Sequence, residues 1–222
     1  MLNLTALLQN WPFLGEGLLL SLALTGIGVA GGLMGGTLLV LIRIFGGTLG
    51  NRAAGAYVFS FRAIPLVLVI FWFYFMVPLV VGRPVGALVS AIVAFCLFEA
   101  AYYSEIIRAG LSSVRPGQMN AALACGMTRL QALRLVIFPQ ALRAMIPVFF
   151  TQAIILFQDT SLVFVVSLHD FLTATSIVAN RDGLLIEAYL FACAVYYMLC
   201  MGATFGVERL KDAVGKGSAR RV

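Results

Sequence analysis

GQMNAALACGMTRLQALRLVIFP, residues Gly117 to Pro139, interrupts a chain dominated by long apolar runs. It carries two arginines, no acidic residue, two glycines and a closing proline. Pro116, just ahead of it, suits the first position of a helix, where its missing N–H would be unpaired in any case. Gly117 to Cys125 is uncharged and holds three alanines, Ala121, Ala122 and Ala124. Gly126 then suits a left-handed helix stop. Thr128-Arg129-Leu130-Gln131 fits a capping box, with Thr128 as N-cap and Gln131 at N3. The second helix is expected to end near Pro139, which it cannot easily pass. The pattern is a short apolar helix, a glycine corner and a second helix entering an apolar region.

That region has the composition of a membrane protein. Of 222 residues, 62% are hydrophobic and 11% charged, and the mean hydropathy is +1.02. Soluble domains carry about 25% charged residues, so lipid must be the solvent for most of this surface. Five stretches approach the ~20 apolar residues that a crossing helix needs: Leu18 to Ile42, Ala63 to Gly82, Pro84 to Ile107, Ala144 to Leu168 and Ala188 to Val207. The expected fold is an all-α integral membrane bundle of five transmembrane helices, a single domain over 1–222. A cytoplasmic loop at about 111–139 carries the short helix.

Charge fixes the expected direction. Of the 15 lysines and arginines, all but Arg83 and Arg181 fall on one side of these spans, and positive charge stays cytoplasmic. The N-terminus is therefore expected outside and the C-terminal tail, with Lys216, Arg220 and Arg221, inside. No basic segment precedes the first apolar run, so a cleaved leader is not predicted. The net charge of +6 is a topology signal; nucleic-acid binding would need a basic soluble domain. His169 is the only histidine, which excludes a multi-histidine metal site, and the four cysteines have no ligand spacing.

The first span holds Gly28, Gly32 and Gly36, a spacing that lets helix backbones approach closely. No internal repeat of the kind that builds many secondary transporters is evident. Five helices are few to enclose a path, and a dimer is the simple remedy.

Met119, Ala122, Leu123 and Met127 recur at helical spacing in the short helix. Two uses fit such an uncharged face on the water side: folding back onto the bundle, or docking a partner in its groove. Here a family resemblance enters. Ala121-Ala122, three residues, Gly126, nine residues and Val136-Ile137-Phe138-Pro139 resemble the EAA loop of ABC importer permeases, with Asn120 where that pattern has glutamate. FRAIPLVL (Phe61 to Leu68) resembles the opening of the second span in polar amino-acid permeases. AAYYSEIIRAG (Ala100 to Gly110) and QDTSLV (Gln158 to Val163) resemble two further segments of the same family, most like its glutamate/aspartate members.

The resemblance implies a subunit of the bacterial inner membrane that forms half of a pore. A second permease, identical or related, would complete it. A periplasmic or extracellular binding protein would deliver substrate, and cytosolic ATPase subunits would supply energy. ATP would be used by those subunits; the chain has no phosphate-binding Gly-x-x-x-x-Gly-Lys-Ser/Thr loop and is expected to bind no cofactor and catalyse no reaction. Met119, Ala121, Ala122, Leu123, Gly126 and Met127 would meet the ATPase.

Two rivals are an ion-gradient-driven amino-acid carrier and a non-transporting assembly subunit. The first has no need of the docking helix, and the second leaves acidic residues in mid-span unexplained. Those residues, Glu99 and Asp159, are costly in lipid and typically face a cavity or a partner. A carboxylate suits the α-ammonium of an amino acid, and Gln158, Thr160, Ser161 and Arg62 offer donors for substrate carboxylates. The alternatives are that Asp159 caps a broken helix and that Glu99 pairs with a partner chain. Between His169 and Gly183 a helix is expected on the outer side, either meeting the binding protein or lying on the lipid surface.

Overall fold

The computed structural model describes residues 9–219, with side chains to residue 212. Of the residues invoked above for the tail, Arg220 and Arg221 lie outside that description, and Lys216 is described in its backbone alone. Among the described residues every regular element is helical.

The first helix, α1 (Trp11–Phe45), runs 35 residues, about 52 Å and longer than a ~30 Å hydrocarbon core. Its buried stripe is Leu14, Gly17, Ser21, Leu24, Gly28, Gly32, Gly36 and Val40. The expected glycine face is thus real and is used within the chain, against α4 (Ala87–Ser112). A Cβ on Gly32 would lie 2.6 Å from Glu99 Cβ, and one on Gly36 would lie 2.8 Å from the Ser104 backbone nitrogen.

The connection after α1 is itself a helix, α2 (Gly47–Ala63). Ile64 before Pro65 is extended (φ −112°, ψ 135°), as the proline ring demands of its predecessor. The chain bends there by 105° into α3 (Leu66–Val81). The expected second span, Ala63 to Gly82, falls on α3, which reaches membrane length only together with α2. The other four expected spans appear as helices long and apolar enough to cross a membrane: α1, α4, α6 (Arg129–Val166) and α8, which crosses as Leu185–Asp212 within the helix Leu185–Ala219.

The corner helix, α5 (Pro116–Ala124), forms as expected. Gly126 has φ +83°. Met127 N–H donates to Ala122 C=O at 3.1 Å and Gly126 N–H to Leu123 C=O at 3.0 Å, the two bonds of a Schellman stop. The Thr128/Gln131 capping box is present in both directions.

Pro139 does not end the next helix, contrary to expectation. Leu133–Ile137 widens into one π-helical turn, and α-helix continues through Phe138–Asp159. The widened turn is centred on Leu135, whose carbonyl the proline ring would otherwise strike. The Val136 carbonyl accepts from the Gln140 side chain at 2.9 Å. α3 repeats the device: Trp72–Met76 is a π-helical turn that ends two residues before Pro78, as Ile137 does before Pro139. The last turns of α6, Thr160–Val166, tighten to a 3-10 helix. α7 (Phe171–Asp182) then leads into α8.

Candidate functional site

Three polar places interrupt the apolar bundle. The first is the seam between α4 and α6. Glu99 is fully buried; its Oε1 accepts from Gln152 Nε2 at 3.1 Å, and its Oε2 has no hydrogen-bond partner. Buried polar atoms are overwhelmingly paired, so the second oxygen marks an unmet demand. Tyr103, one turn along α4 and also buried, reaches toward the Phe149 carbonyl at 3.5 Å. Gln152 was missed in the sequence. It lies 53 residues from Glu99, and no local pattern announces the pairing.

Asp159 is half-buried at the junction where α6 tightens, and its side chain makes no capping hydrogen bond there. The neighbouring hydroxyls are turned to the backbone: Thr160 donates to the Phe157 carbonyl at 2.7 Å and Ser161 to the Gln158 carbonyl at 2.8 Å. Thr160 is wholly buried, while Gln158 is exposed and its amide points to Cys200 Sγ at 3.5 Å. Glu99 and Asp159 stand on neighbouring helices, α4 and α6. Arg62 does not join them.

Arg62 belongs to the second place, at the arginine-rich end. Three helix ends converge there on Glu105. Arg43 from α1 donates to Oε1 at 2.7 Å, Arg108 from α4 donates to Oε2 at 2.7 Å through Nη2 and 3.0 Å through Nε, and Arg62 from α2 stands 3.9 Å from Oε2. The Arg62 guanidinium lies 5.3 Å from the centre of the Tyr102 ring. Sequence reasoning read Arg43 and Arg108 as topology charges, set Arg62 among the substrate donors, and gave Glu105 no role. The Glu105/Arg108 spacing of three on one helix was the available signal.

The third place is α7, at the opposite end. Asp170 caps it, accepting from Leu172 N–H and Thr173 N–H, both at 3.1 Å, and from the Thr173 hydroxyl. Burial pushes the Asp170 carboxyl above the ordinary aspartate range, and these donors pull against that shift. Phe171 N–H donates to Ser21 Oγ at 3.2 Å. Ala174, Val178 and Ala179 are buried with Leu14 of α1 and Ala188 of α8. The helix is anchored in the bundle, with Asn180 on its exposed side.

The corner helix sorts the remaining expected residues. Ala122 is 5% exposed and faces the chain itself, where α5 packs on the turn Leu133–Ile137. Ala121 and Leu123 are exposed, and Met119 and Met127 are half-buried. The helix thus folds back onto its bundle through Ala122 and leaves an uncharged face, Ala121 and Leu123, exposed.

A bundle of membrane-length helices with a polar seam inside and an uncharged corner helix projecting from its arginine-rich end is the build of a transporter's membrane subunit. The chain belongs to the family of binding-protein-dependent transport system inner membrane components, whose model matches residues 28–212. It is 46% identical over 214 residues to the glutamate/aspartate import permease protein GltK of Escherichia coli O157:H7, covering 93% of this chain and 96% of that one. It is 30% identical to the probable glutamine ABC transporter permease protein GlnM of Bacillus subtilis, over 97% of this chain and 99% of that one. Among solved structures, an amino acid ABC transporter with histidines matches with a TM-score of 0.90 and 25% identity, over 96% of this chain and 99% of that one. The methionine ABC transporter MetNI, at 21% identity over 93% and 98% of the two chains, shares the fold with a TM-score of 0.77. The ion-gradient carrier and the non-transporting subunit find no support beside this family.

Proposed function

We propose that the chain is a permease subunit of an ATP-driven importer of acidic amino acids. The observation that carries this is the 46% identity to a glutamate/aspartate import permease along nearly the whole of both chains. In this arrangement the arginine-rich end faces the cytoplasm and the N-terminus faces outward. A second permease, identical or related, completes the pore. ATP is consumed by separate ATPase subunits, which meet Ala121, Leu123 and the rims of Met119 and Met127, with Gly126 setting the corner and Ala122 holding α5 to its own bundle. A substrate-binding protein docks at the end that carries α7.

The substrate path runs along Glu99 and Asp159. The unpaired Glu99 oxygen supports a role for that carboxylate toward the substrate ammonium, an interaction of ~1.5–3 kcal/mol when charge-assisted. Gln158 is placed to offer donors. Thr160 and Ser161 hold the shape of the α6 end, since their hydroxyl protons are already committed. Because Glu99 is enclosed, α6 must separate from α4 before substrate reaches it, and Gln152 is the contact that breaks.

Uptake by the complex reconstituted with its binding protein tests this. Wild type is expected to accumulate glutamate and aspartate over glutamine. Glu99→Gln is expected to lower kcat/KM by about 10- to 100-fold, and Asp159→Asn to lower it less. Preference for a basic amino acid would remove the substrate class. Unchanged uptake in both variants would remove the path.

A further inference from the structure

The arginine cluster at Glu105 holds more positive charge than its own carboxylate satisfies. Arg43, Arg62 and Arg108 supply three guanidinium groups against one carboxylate. Arg43 and Arg108 hold Glu105 by short hydrogen bonds. Arg62 does not: at 3.9 Å it is an ion pair without a hydrogen bond, and its side chain is 46% exposed. Its planar fork is therefore open, and guanidinium forks match carboxylates two bonds at a time. The Tyr102 ring lies within cation–π reach of it.

The fork opens into a cavity of about 560 Å³ lined by Arg62, Tyr102, Glu105, Arg108, Ser113 and Met145, a size in the range of small-molecule pockets. The cavity is bounded by α2, α4 and α6, and α6 also carries Gln152 and Asp159. It lies beyond the Glu99 seam, toward the arginine-rich end.

We propose that this cavity is an anion site, in which Arg62 and Arg108 take the carboxylate of an acidic amino acid arriving at the inner mouth, with Glu105 as the internal competitor that keeps the hold weak. Naming the transported amino acid as the ligand rests on the acidic-substrate assignment above; the carboxylate chemistry of the cavity does not. A site of this kind passes substrate from the seam toward the cytoplasm and, when cytoplasmic anion is abundant, remains filled and slows turnover.

The test uses the complete transporter in vesicles, with ATP inside and binding protein outside, so that the lumen bathes the arginine-rich end. The lumen is loaded with glutarate, with its uncharged diamide glutaramide, or with chloride at matched ionic strength. Uptake of labelled glutamate and glutamine is measured, each variant being compared with its own chloride-loaded vesicles. Luminal glutarate is expected to slow wild-type uptake and glutaramide is not. Arg62→Gln is expected to need about tenfold more glutarate for the same slowing, and Glu105→Gln to need less, since it frees the arginines. Opposite shifts from two neighbouring residues are not the signature of general damage. The exposed Arg62 variant alone decides the matter if Glu105→Gln fails to assemble.

The proposal is overturned if glutarate has no effect on wild type, if glutaramide acts equally, or if Arg62→Gln responds as wild type does. Parallel vesicles of neutral and of anionic lipid separate a lipid phosphate from the small anion. Dependence on anionic lipid through Arg62, with no response to glutarate in neutral vesicles, overturns it in favour of a headgroup. If glutamine rather than glutamate is accumulated, the acidic-substrate assignment falls, and the glutarate response still decides the cavity.

Discussion

Gly126 sets the corner on which the proposed coupling depends, and its replacement has a calculable cost. At φ +83° the backbone is left-handed, and a Cβ built there meets nothing within 4 Å. Alanine would therefore clash with no neighbour and would carry only the backbone penalty, ~1–2 kcal/mol. That is a factor of roughly 5 to 30 in the balance between the cornered segment and one that has lost the Schellman stop. Apparent affinity for the ATPase subunit falls with the fraction that remains cornered. Asparagine tolerates the left-handed region and valine does not. The expected order of affinity is Gly, Asn, Ala, Val. Gly117→Ala, equally open on its Cβ side but without a positive φ, should bind as wild type. The assay titrates purified, correctly inserted permease with ATPase subunit. Equal affinities for glycine and alanine, or asparagine no better than alanine, would refute the backbone explanation.

Gly36→Ala places a methyl against the Ser104 and Tyr103 backbone; overpacking of ~1–3 kcal/mol should lower the thermal midpoint in detergent, whereas Gly26→Ala, with open space, should not. Asp170→Ala removes the cap of α7 and should cost ~1–2 kcal/mol, read as faster proteolysis within residues 171–182, and Asp170→Asn should retain most of the protection. A cysteine at Asn180, on the exposed side of α7, should crosslink to the binding protein, and labelling it only from the cytoplasmic side would reverse the orientation.

The corner segment was legible because its rules are local. Pro116, Gly126 and the Thr128/Gln131 box each act within one turn of helix, and each sits where its chemistry required. The glycine stripe was legible for the same reason, since a spacing of four is a property of one helix. Helix α2 was not, because Gly46, Gly47, Gly50 and Gly55 weaken any helical signal and its packing supplies the missing support: Tyr57 donates to the Leu97 carbonyl at 2.7 Å. Pro139 misled because a proline forbids plain α-helix, yet one widened turn lets the helix continue. Among the candidate site residues, Glu99 and Asp159 stood out as charges in apolar runs. Their surroundings did not: Gln152 reaches Glu99 from another helix, as Arg43 and Arg62 reach Glu105, and only the tertiary fold makes these meetings.

The paired wide turns have a mechanical meaning. A π-helical turn holds about one residue more than the α-turn it replaces, and one residue corresponds to about 100° of rotation. Pro139 therefore sets the phase of everything beyond it, including Gln152 thirteen residues on. α5 leans on that same widened turn, so the corner helix and the α4–α6 seam are geared through one shaft. If a push on α5 twisted this widened turn, Gln152 would swing off Glu99 without α6 having to slide.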